Sequence, residues 1–461
     1  MKRINNTHNN CSIWMKLKFI LFIQLLCIYA SNAQTGFGNI TVSGSTSKGS
    51  WTTNGTINTF NPTANGATVS VTDIQTRLGT GDVIVSTTCS TCSEAGNITI
   101  TSAITSLKPA AGPLLKFSAE KNIAINASID IGLKEGSERT DRNAPNIEFI
   151  SNNGNIISST NGKINTNPAT SFVGGYVKIT ANNGSVQVNG VITTTGSSGG
   201  PVTIIGNAGV TIAASITTTG GTTGILKITD NNNSFSIGTD LTNQGQTSGI
   251  FTIASFENAG TGFFKLKGAN VYTGNTILSS TGSLYLGADN SVPTGSSIIF
   301  NGGDYRPNGF SSTVKSIKLQ ANSSITFDAA LSSTFTFDSL LYSSTANTYL
   351  TINGWQGFSQ TKAMTKNGAL ASSSTAFVTT NGALQNVTNP GGLTNYGQIL
   401  TSAVGGSGGL KGKLFTSTKL SGTLLTTTTG KIRFLNATDG KTYLSQQIST
   451  KEIIPGLAVN P

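Results

Sequence analysis

The stretch NGVITTTGSSGGPVTIIGNAGVTIAASITTTGG (residues 189–221) contains the pentapeptide ITTTG twice. The two copies begin at Ile192 and Ile216, so the segment returns after 24 residues. A repeat at a fixed interval of this size is typical of a solenoid, in which each repeat forms one coil stacked on the previous one. We expect the isoleucine to point into the coil, the threonines to keep the backbone extended, and the glycine to form the turn.

Aliphatic pairs around this stretch keep the same spacing. The two members of each pair lie two residues apart and therefore share one face of a strand. One predicted row runs through Val186 and Val188, Val210 and Ile212, then Phe235 and Ile237; a second runs through Val177 and Ile179, Val202 and Ile204, Leu226 and Ile228, then Phe251 and Ile253; a third runs through Ile192, Ile216 and Leu241. Asn207 and Asn231 also share a position, which predicts an asparagine ladder along the axis.

These rows predict an all-β protein that folds as a parallel β-helix. Charged residues make up 10% of the chain and glycine contributes 55 of its 461 residues. A chain rich in Gly, Ser, Thr and Asn disfavours helices and suits strands joined by tight turns. A β-sandwich array and a disordered chain are the alternatives, and the strict period and regular alternation argue against both. We expect one elongated solenoid over most of residues 70–345, with roughly 4.8 Å per coil.

The N-terminal residues are typical of an export signal. A basic flank, the apolar run FILFIQLLCIYA (residues 19–30) and small residues up to Ala33 predict a signal peptide at 1–33, with Met15 as the alternative start. The run is too short to span a membrane. A lipid anchor at Cys27 is the alternative. We therefore expect an exported protein at the cell surface or in the extracellular space, with no transmembrane segment in the mature chain.

Loss of this signal lowers the net charge from +11 to +7 and removes His8, the one histidine of the chain. So modest a charge predicts no nucleic-acid partner. Without histidine, a Ser-His-Asp triad and a histidine metal site are both excluded. The 18 acidic residues are widely scattered. We therefore predict no catalytic residue, no cofactor and no metal site.

Four local features remain as candidates. Cys89 and Cys92 predict a small disulfide, with a redox pair or half of a zinc site as alternatives. The mixed-charge segment KEGSERTDRNAP (residues 134–145) is predicted to be a solvated loop. Glu138 and Asp141 within it are candidate ligand contacts.

The C-terminal region is basic, and an anionic glycan is the ligand that this charge would favour. Its candidate contacts are Lys411, Lys413 and Lys431, with a solvated sheet face as the alternative. Trp51 and Trp355 are candidates for stacking on sugars. The alternatives are that Trp51 caps the open end of the solenoid and that Trp355 packs within the closing segment.

Two segments resemble known repeats. Residues 72–104 and 114–131 resemble repeats of secreted bacterial adhesins of the filamentous haemagglutinin type, and residues 268–303 resemble the autotransporter-associated β-strand repeat. The first pattern is met by Gly81, Val83, Val85, Gly96, Ile98, Ile100, Asn122 and Ile123. The second is met by Asn270, Tyr272, Thr273, Gly274, Thr276, Gly282, Leu284, Leu286 and Gly287, with Pro293 as the turn. Residues 349–355 and 451–455 resemble the segment that closes that repeat.

These resemblances imply a right-handed β-helix exposed outside the cell. They imply no conserved catalytic or binding residues for this chain. The expected divisions are a signal peptide (1–33), an N-terminal cap (34–70), haemagglutinin-like repeats (71–267), an autotransporter-associated region (268–345) and a β-rich closing region (346–461). The expected function is adhesion or structural display toward glycans, a matrix or surface proteins of other cells. The alternative is a carbohydrate-active enzyme resembling a polysaccharide lyase or a glycoside hydrolase.

Overall fold

The structure is a computed structural model. It describes residues 36–105, 112–132, 143–168, 172–218, 223–232, 245–247, 250–328, 331–342, 348–354, 364–365, 396–397, 413–418, 431–435, 442–447 and 452–458. Parallel strands dominate this part of the chain, and they stack as successive coils on three faces. The prediction of an all-β parallel β-helix is confirmed.

The first face begins at the N-terminal end of the solenoid. Strands are numbered along the chain, and in spatial order this face contains β4 (Ala67–Ser70), β1 (Ile40–Ser43), β6 (Ile98–Ile100), β9 (Ile123–Ile125), β12 (Ile156–Ser158), β15 (Val186–Val188), β18 (Val210–Ile212), β21 (Gly245–Thr247), β24 (Phe263–Leu266), β26 (Ser283–Leu286), β28 (Asp304–Arg306), β30 (Ser323–Thr326), β32 (Leu350–Asn353) and β36 (Ile432–Leu435). Each neighbouring pair is parallel. The N-terminal strand β1 is inserted between β4 and β6.

The second face runs alongside the first. It contains β2 (Gly49–Asn54), β3 (Ile57–Pro62), β5 (Asp82–Ser86), β8 (Leu114–Ala119), β11 (Asn146–Ser151), β14 (Val177–Ala181), β17 (Val202–Gly206), β20 (Ile225–Asp230), β23 (Ser255–Asn258), β25 (Asn275–Leu278), β27 (Ser297–Phe300), β29 (Ser312–Leu319), β31 (Thr334–Tyr342) and β35 (Lys413–Thr416). Only β2 runs antiparallel to its neighbour here, because it forms a hairpin with β3.

The third face is shorter. It contains β7 (Ile104–Thr105), β10 (Ile129–Asp130), β13 (Ile164–Asn165), β16 (Ile192–Thr193), β19 (Ile216–Thr217) and β22 (Phe251–Thr252). A single bridge from Thr252 to Val271 continues it by one coil. Separately, β33 (Met364–Thr365) and β34 (Tyr396–Gly397) form a small antiparallel pair.

Stacked apolar side chains fill the interior of the coils. Ile192 lies in register with Ile216, and both are fully buried. Aromatic residues take part in such columns on the second face, where the rings of Phe117 and Phe149 are stacked with 5.4 Å between their centroids. Because side chains alternate along each strand, the inward positions are mostly apolar and the outward positions carry mainly Thr, Asn, Ser and Lys.

The ITTTG repeat has one role that its sequence did not predict. Its middle threonines, Thr194 and Thr218, are fully buried and turn into the corner of the coil. The Thr194 hydroxyl donates to the carbonyl of Gly200 at 2.5 Å, and Thr218 donates likewise to Gly224. A Cβ on Gly200 would lie only 2.2 Å from the carbonyl oxygen of Gly175, so glycine is required for close stacking at this corner.

The predicted rows hold up to residue 230 and are wrong beyond it. Leu226 pairs with Phe256 rather than Phe251, and Ile212 pairs with Thr247 rather than Ile237. Phe251 instead follows Ile216 on the third face, where Leu241 was expected. The coil is longer here, since Lys227 and its neighbour Glu257 are 30 residues apart. A fixed interval of 24 residues therefore places the strands of the next coil too early in the sequence.

Both ends of the solenoid are closed by antiparallel or helical elements. At the N-terminal end, helix α1 (Val71–Leu78) is capped by Ser70, whose side chain accepts from the Asp73 amide. Trp51 packs against the end of the core, with its ring 5.3 Å from that of Phe60. At the C-terminal end, β37 (Thr442–Gln447) and β38 (Glu452–Ala458) pair between β36 and β35, so they join the first and second faces.

A disulfide joins Cys89 and Cys92, with 5.5 Å between their Cα atoms. Both cysteines are buried, and they lie against the N-terminal segment of the described chain. The Cys89 amide donates to the Gly36 carbonyl at 3.0 Å, and a Cβ on Gly38 would lie 3.1 Å from the Cys92 Sγ. The disulfide therefore provides a packing surface for the residues that lead into β1.

We predict that replacing Cys89 and Cys92 together with serine lowers the free energy of unfolding by only about 2 kcal/mol, because so short a loop restricts the unfolded chain little. The loss should be local, so limited proteolysis should cut first near residues 36–39. Chemical denaturation and mass spectrometry of the fragments measure both effects. Two reactive thiols in the oxidised wild-type protein, or a loss above about 4 kcal/mol, would contradict this prediction.

Candidate contact surface

An exposed asparagine ladder follows the corner between the second and first faces. The Asn183 Nδ2 donates to the Asn153 Oδ1 at 2.9 Å, and the Asn231 Nδ2 donates to the Asn207 Oδ1 at 2.7 Å. The ladder expected from Asn207 and Asn231 is thus confirmed. The turns that follow the strands of the second face place these amides in neighbouring coils, on the outside of the solenoid.

A second asparagine ladder stands just before the strands of the first face. The Oδ1 atoms of Asn39, Asn97 and Asn122 each accept the backbone amide of the asparagine in the next coil, at 2.8 to 3.0 Å. This explains Asn122 of the haemagglutinin-like pattern as a residue that holds neighbouring coils together.

The outward side of the third face carries a row of small polar side chains. The row consists of Thr105, Asp130, Asn165, Thr193, Thr217 and Thr252, which are aligned by the strand register. All of these residues are partly exposed. Hydroxyl, amide and carboxylate groups repeated at roughly 4.8 Å per coil offer hydrogen-bond partners along a line rather than in one pocket.

The residues that resemble the autotransporter-associated repeat have structural roles. Asn270 is buried and accepts the Phe251 amide at 2.9 Å, while its Nδ2 donates to the carbonyls of Gly268 and Ser291 at 2.9 and 2.8 Å. This side chain links three successive coils where the third face loses its regular strands. The Tyr272 hydroxyl lies 2.7 Å from the Thr276 Oγ1, and burial raises the pKa of Tyr272.

A polar cluster lies on the outward side of the first face, and we call it the Asp304 cluster. Arg306 Nε contacts Asp304 Oδ2 at 2.5 Å, and the hydroxyls of Ser324 and Thr326 donate to Asp304 Oδ1 at 2.7 and 2.9 Å. The Arg306 guanidinium lies 5.3 Å from the centroid of the Tyr285 ring. Burial raises the pKa of Tyr285, and the nearby Arg306 opposes this shift.

A second cluster follows two to three coils further on, and we call it the cationic end cluster. It consists of Tyr342, Tyr349, Lys431 and Arg433. The Arg433 guanidinium carbon lies 3.5 Å from the centroid of the Tyr349 ring. Lys431 Nζ lies 5.0 Å from the centroid of Tyr342 and 5.4 Å from that of Tyr349. All four residues are partly exposed.

The structure places few of the candidate residues proposed from the sequence. Lys431 lies in the cationic end cluster, and Lys413 begins β35. The Arg77 guanidinium lies 4.3 Å from the centroid of the Trp51 ring, on a side chain that is already packed at the end of the core. Glu138, Asp141, Lys411 and Trp355 lie outside the described residues.

Sequence reasoning missed most members of the two clusters. The available signal was alternation: in SLYL (residues 283–286) and KIRF (residues 431–434), charged or aromatic residues alternate with apolar core residues. Such residues must point outward when their neighbours are buried. What the sequence did not show is which coils are adjacent.

The described residues include no group of three His, Cys, Asp or Glu side chains able to hold a metal ion. In the same part of the chain, no helix has the length and apolar character needed to cross a membrane. No family model, curated protein or solved structure matches the chain.

Proposed function

We propose that the protein is an exported, surface-displayed β-helical protein that makes adhesive contacts with glycans, a matrix or surface proteins of other cells. The observation that carries this proposal is the alignment of outward Asn and Thr side chains in successive coils. The signal peptide predicted at residues 1–33 and the resemblance to secreted adhesin repeats also support it.

The physical basis is repetition. Each exposed amide or hydroxyl forms a hydrogen bond that contributes little net free energy to binding, because water competes for the same groups. A polymer that lies along the row meets many such groups at once, and linked contacts raise the overall affinity far above that of any single one. Binding energy is then spread over many coils.

This leads to a prediction for attachment. Changing Asn183 alone to alanine should alter attachment to polysaccharide-coated surfaces less than about twofold, whereas changing Asn153, Asn183 and Asn207 together should reduce it by about tenfold. Attachment of the purified protein to coated and bare surfaces measures this. Thermal unfolding of each variant serves as the control for folding. If a single substitution abolishes attachment while the protein stays folded, the proposal that binding energy is spread over many coils is wrong.

A carbohydrate-active enzyme is the second candidate, and the Asp304 cluster is the observation that favours it. A tyrosine, an arginine and a carboxylate lie together on an outward sheet face there. Incubation with a panel of neutral and anionic polysaccharides, followed by detection of new reducing ends or unsaturated products, tests this function. Product formation that is lost in Asp304→Asn would establish the enzyme and displace the adhesin proposal.

A further inference from the structure

We infer that the cationic end cluster is a binding site for the carboxylate or sulfate groups of an anionic polysaccharide, with Arg433 as the residue that recognises the oxyanion. This inference rests on the proposed adhesive function and names the ligand class for one end of the solenoid.

The stacking geometry leaves Arg433 suited to this role. Its guanidinium carbon is 3.5 Å from the centroid of the Tyr349 ring, so the ring contacts the guanidinium group. Stacking uses the planar face of a guanidinium and leaves the N–H groups at its edge available for two parallel hydrogen bonds to an oxyanion. The ring also reduces the freedom of the side chain, so less entropy is lost on binding.

Arg433 also lacks a hydrogen-bond partner at Nε. This atom is buried, and it is left without an acceptor within the structure. A buried donor without a partner is costly, and no hydrogen bond of the structure offsets that cost at Nε. The described part of the chain forms ion pairs through Lys116, Lys227 and Arg306, and Arg433 belongs to none of these pairs.

The surroundings favour a sugar polymer. Arg433 is in register with Thr351, and Thr351 is in register with Ser324 in the coil before. The partly exposed side chains of Thr351 and Ser324 extend the site as a column of hydroxyl groups along the first face. Asp304 continues the column, and its carboxylate is paired with Arg306, so its charge is offset there. A uronate or sulfated chain offers both the oxyanion and the hydroxyls that this column can bind.

The test uses the full chain and an immobilised polyuronate, with a neutral glucan as the comparison. We expect Arg433→Gln to weaken binding to the polyuronate at least tenfold and to leave binding to the glucan unchanged. Arg433→Lys should also weaken it, because lysine keeps the charge but lacks the guanidinium fork. Arg77→Gln is the matched control, since it removes an arginine that stacks on an aromatic ring at the opposite end, and it should change binding less than twofold.

Thermal unfolding of each variant separates a folding defect from a binding defect, and Arg433→Lys gives the decisive comparison if the glutamine variant does not fold. Equal binding of wild type and both Arg433 variants to the polyuronate would overturn the inference and leave adhesive function standing. Equal loss in Arg77→Gln, or equally tight binding of a duplex oligonucleotide, would also overturn it. Failure of the wild type to attach to any surface would instead refute the proposed function.

Discussion

Replacing Asn270 with alanine is expected to lower the free energy of unfolding by about 3–5 kcal/mol, a large loss for one polar side chain. The amide makes three hydrogen bonds, to the Phe251 amide and to the carbonyls of Gly268 and Ser291, and it is buried. Alanine would remove all three and leave the Phe251 amide and the Ser291 carbonyl without this partner, while the Gly268 carbonyl keeps its bond from the backbone amide of residue 270. Buried backbone groups that lose their partner each cost about 1–3 kcal/mol.

The matched control is Asn183→Ala. Asn183 also donates to a backbone carbonyl and to another asparagine, at 3.0 and 2.9 Å, but it lies on the exposed corner. Water can replace its bonds, so we expect a loss below about 1 kcal/mol. Chemical denaturation measures both variants, and hydrogen exchange at the Phe251 amide locates the effect. Equal losses in the two variants would show that burial of Asn270 does not matter.

The second large effect is a dependence of stability on pH that arises from Asp230. Its side chain is buried, and burial raises its pKa to about 6, although the amides of Val210 and Asn232 donate to it and act in the opposite direction. In the unfolded chain an aspartate titrates near its ordinary value of about 3.9. The folded protein therefore binds a proton more tightly than the unfolded chain does.

Because of this difference, Asp230 makes the folded protein more stable as the pH falls. Above about pH 6 the folded state holds a buried carboxylate, and its cost is fully present at pH 7. As the pH falls from about 7 to about 4, protonation removes that cost and the contribution of Asp230 to stability improves by about 3 kcal/mol. Below the ordinary pKa both states are protonated, so no further change arises from this residue.

Asp230→Asn tests the assignment, because asparagine keeps the shape and does not titrate. We expect the stabilisation between pH 7 and pH 4 to shrink by about 3 kcal/mol relative to wild type. Asp289→Asn is the control: its exposed carboxylate also accepts a backbone amide, from Ser311 at 2.7 Å, and its replacement should leave that pH response in place. Denaturation curves at several pH values measure the slopes. If Asp230→Asn keeps the wild-type slope, another group is responsible.

The sequence by itself determined the fold class and part of the register. Ile192 and Ile216 stack as their 24-residue interval predicts, and Val177, Val202 and Leu226 follow one another in the second face. Apolar and polar residues that alternate with a period of two give each strand one buried and one exposed side. Coils of equal length bring equivalent residues into register. Where both conditions hold, the interval between residues is enough to predict which of them pair.

Tertiary structure decided the rest, because register is set by hydrogen bonding and packing between coils rather than by residue number. The longer coil after Asp230 moves Phe256 into the position assigned to Phe251. The cationic end cluster forms because β36 stacks on β32, which brings Arg433 against Tyr349 from a distant part of the chain. No local pattern contains that contact, since the length of the intervening chain does not fix which coil its end will join.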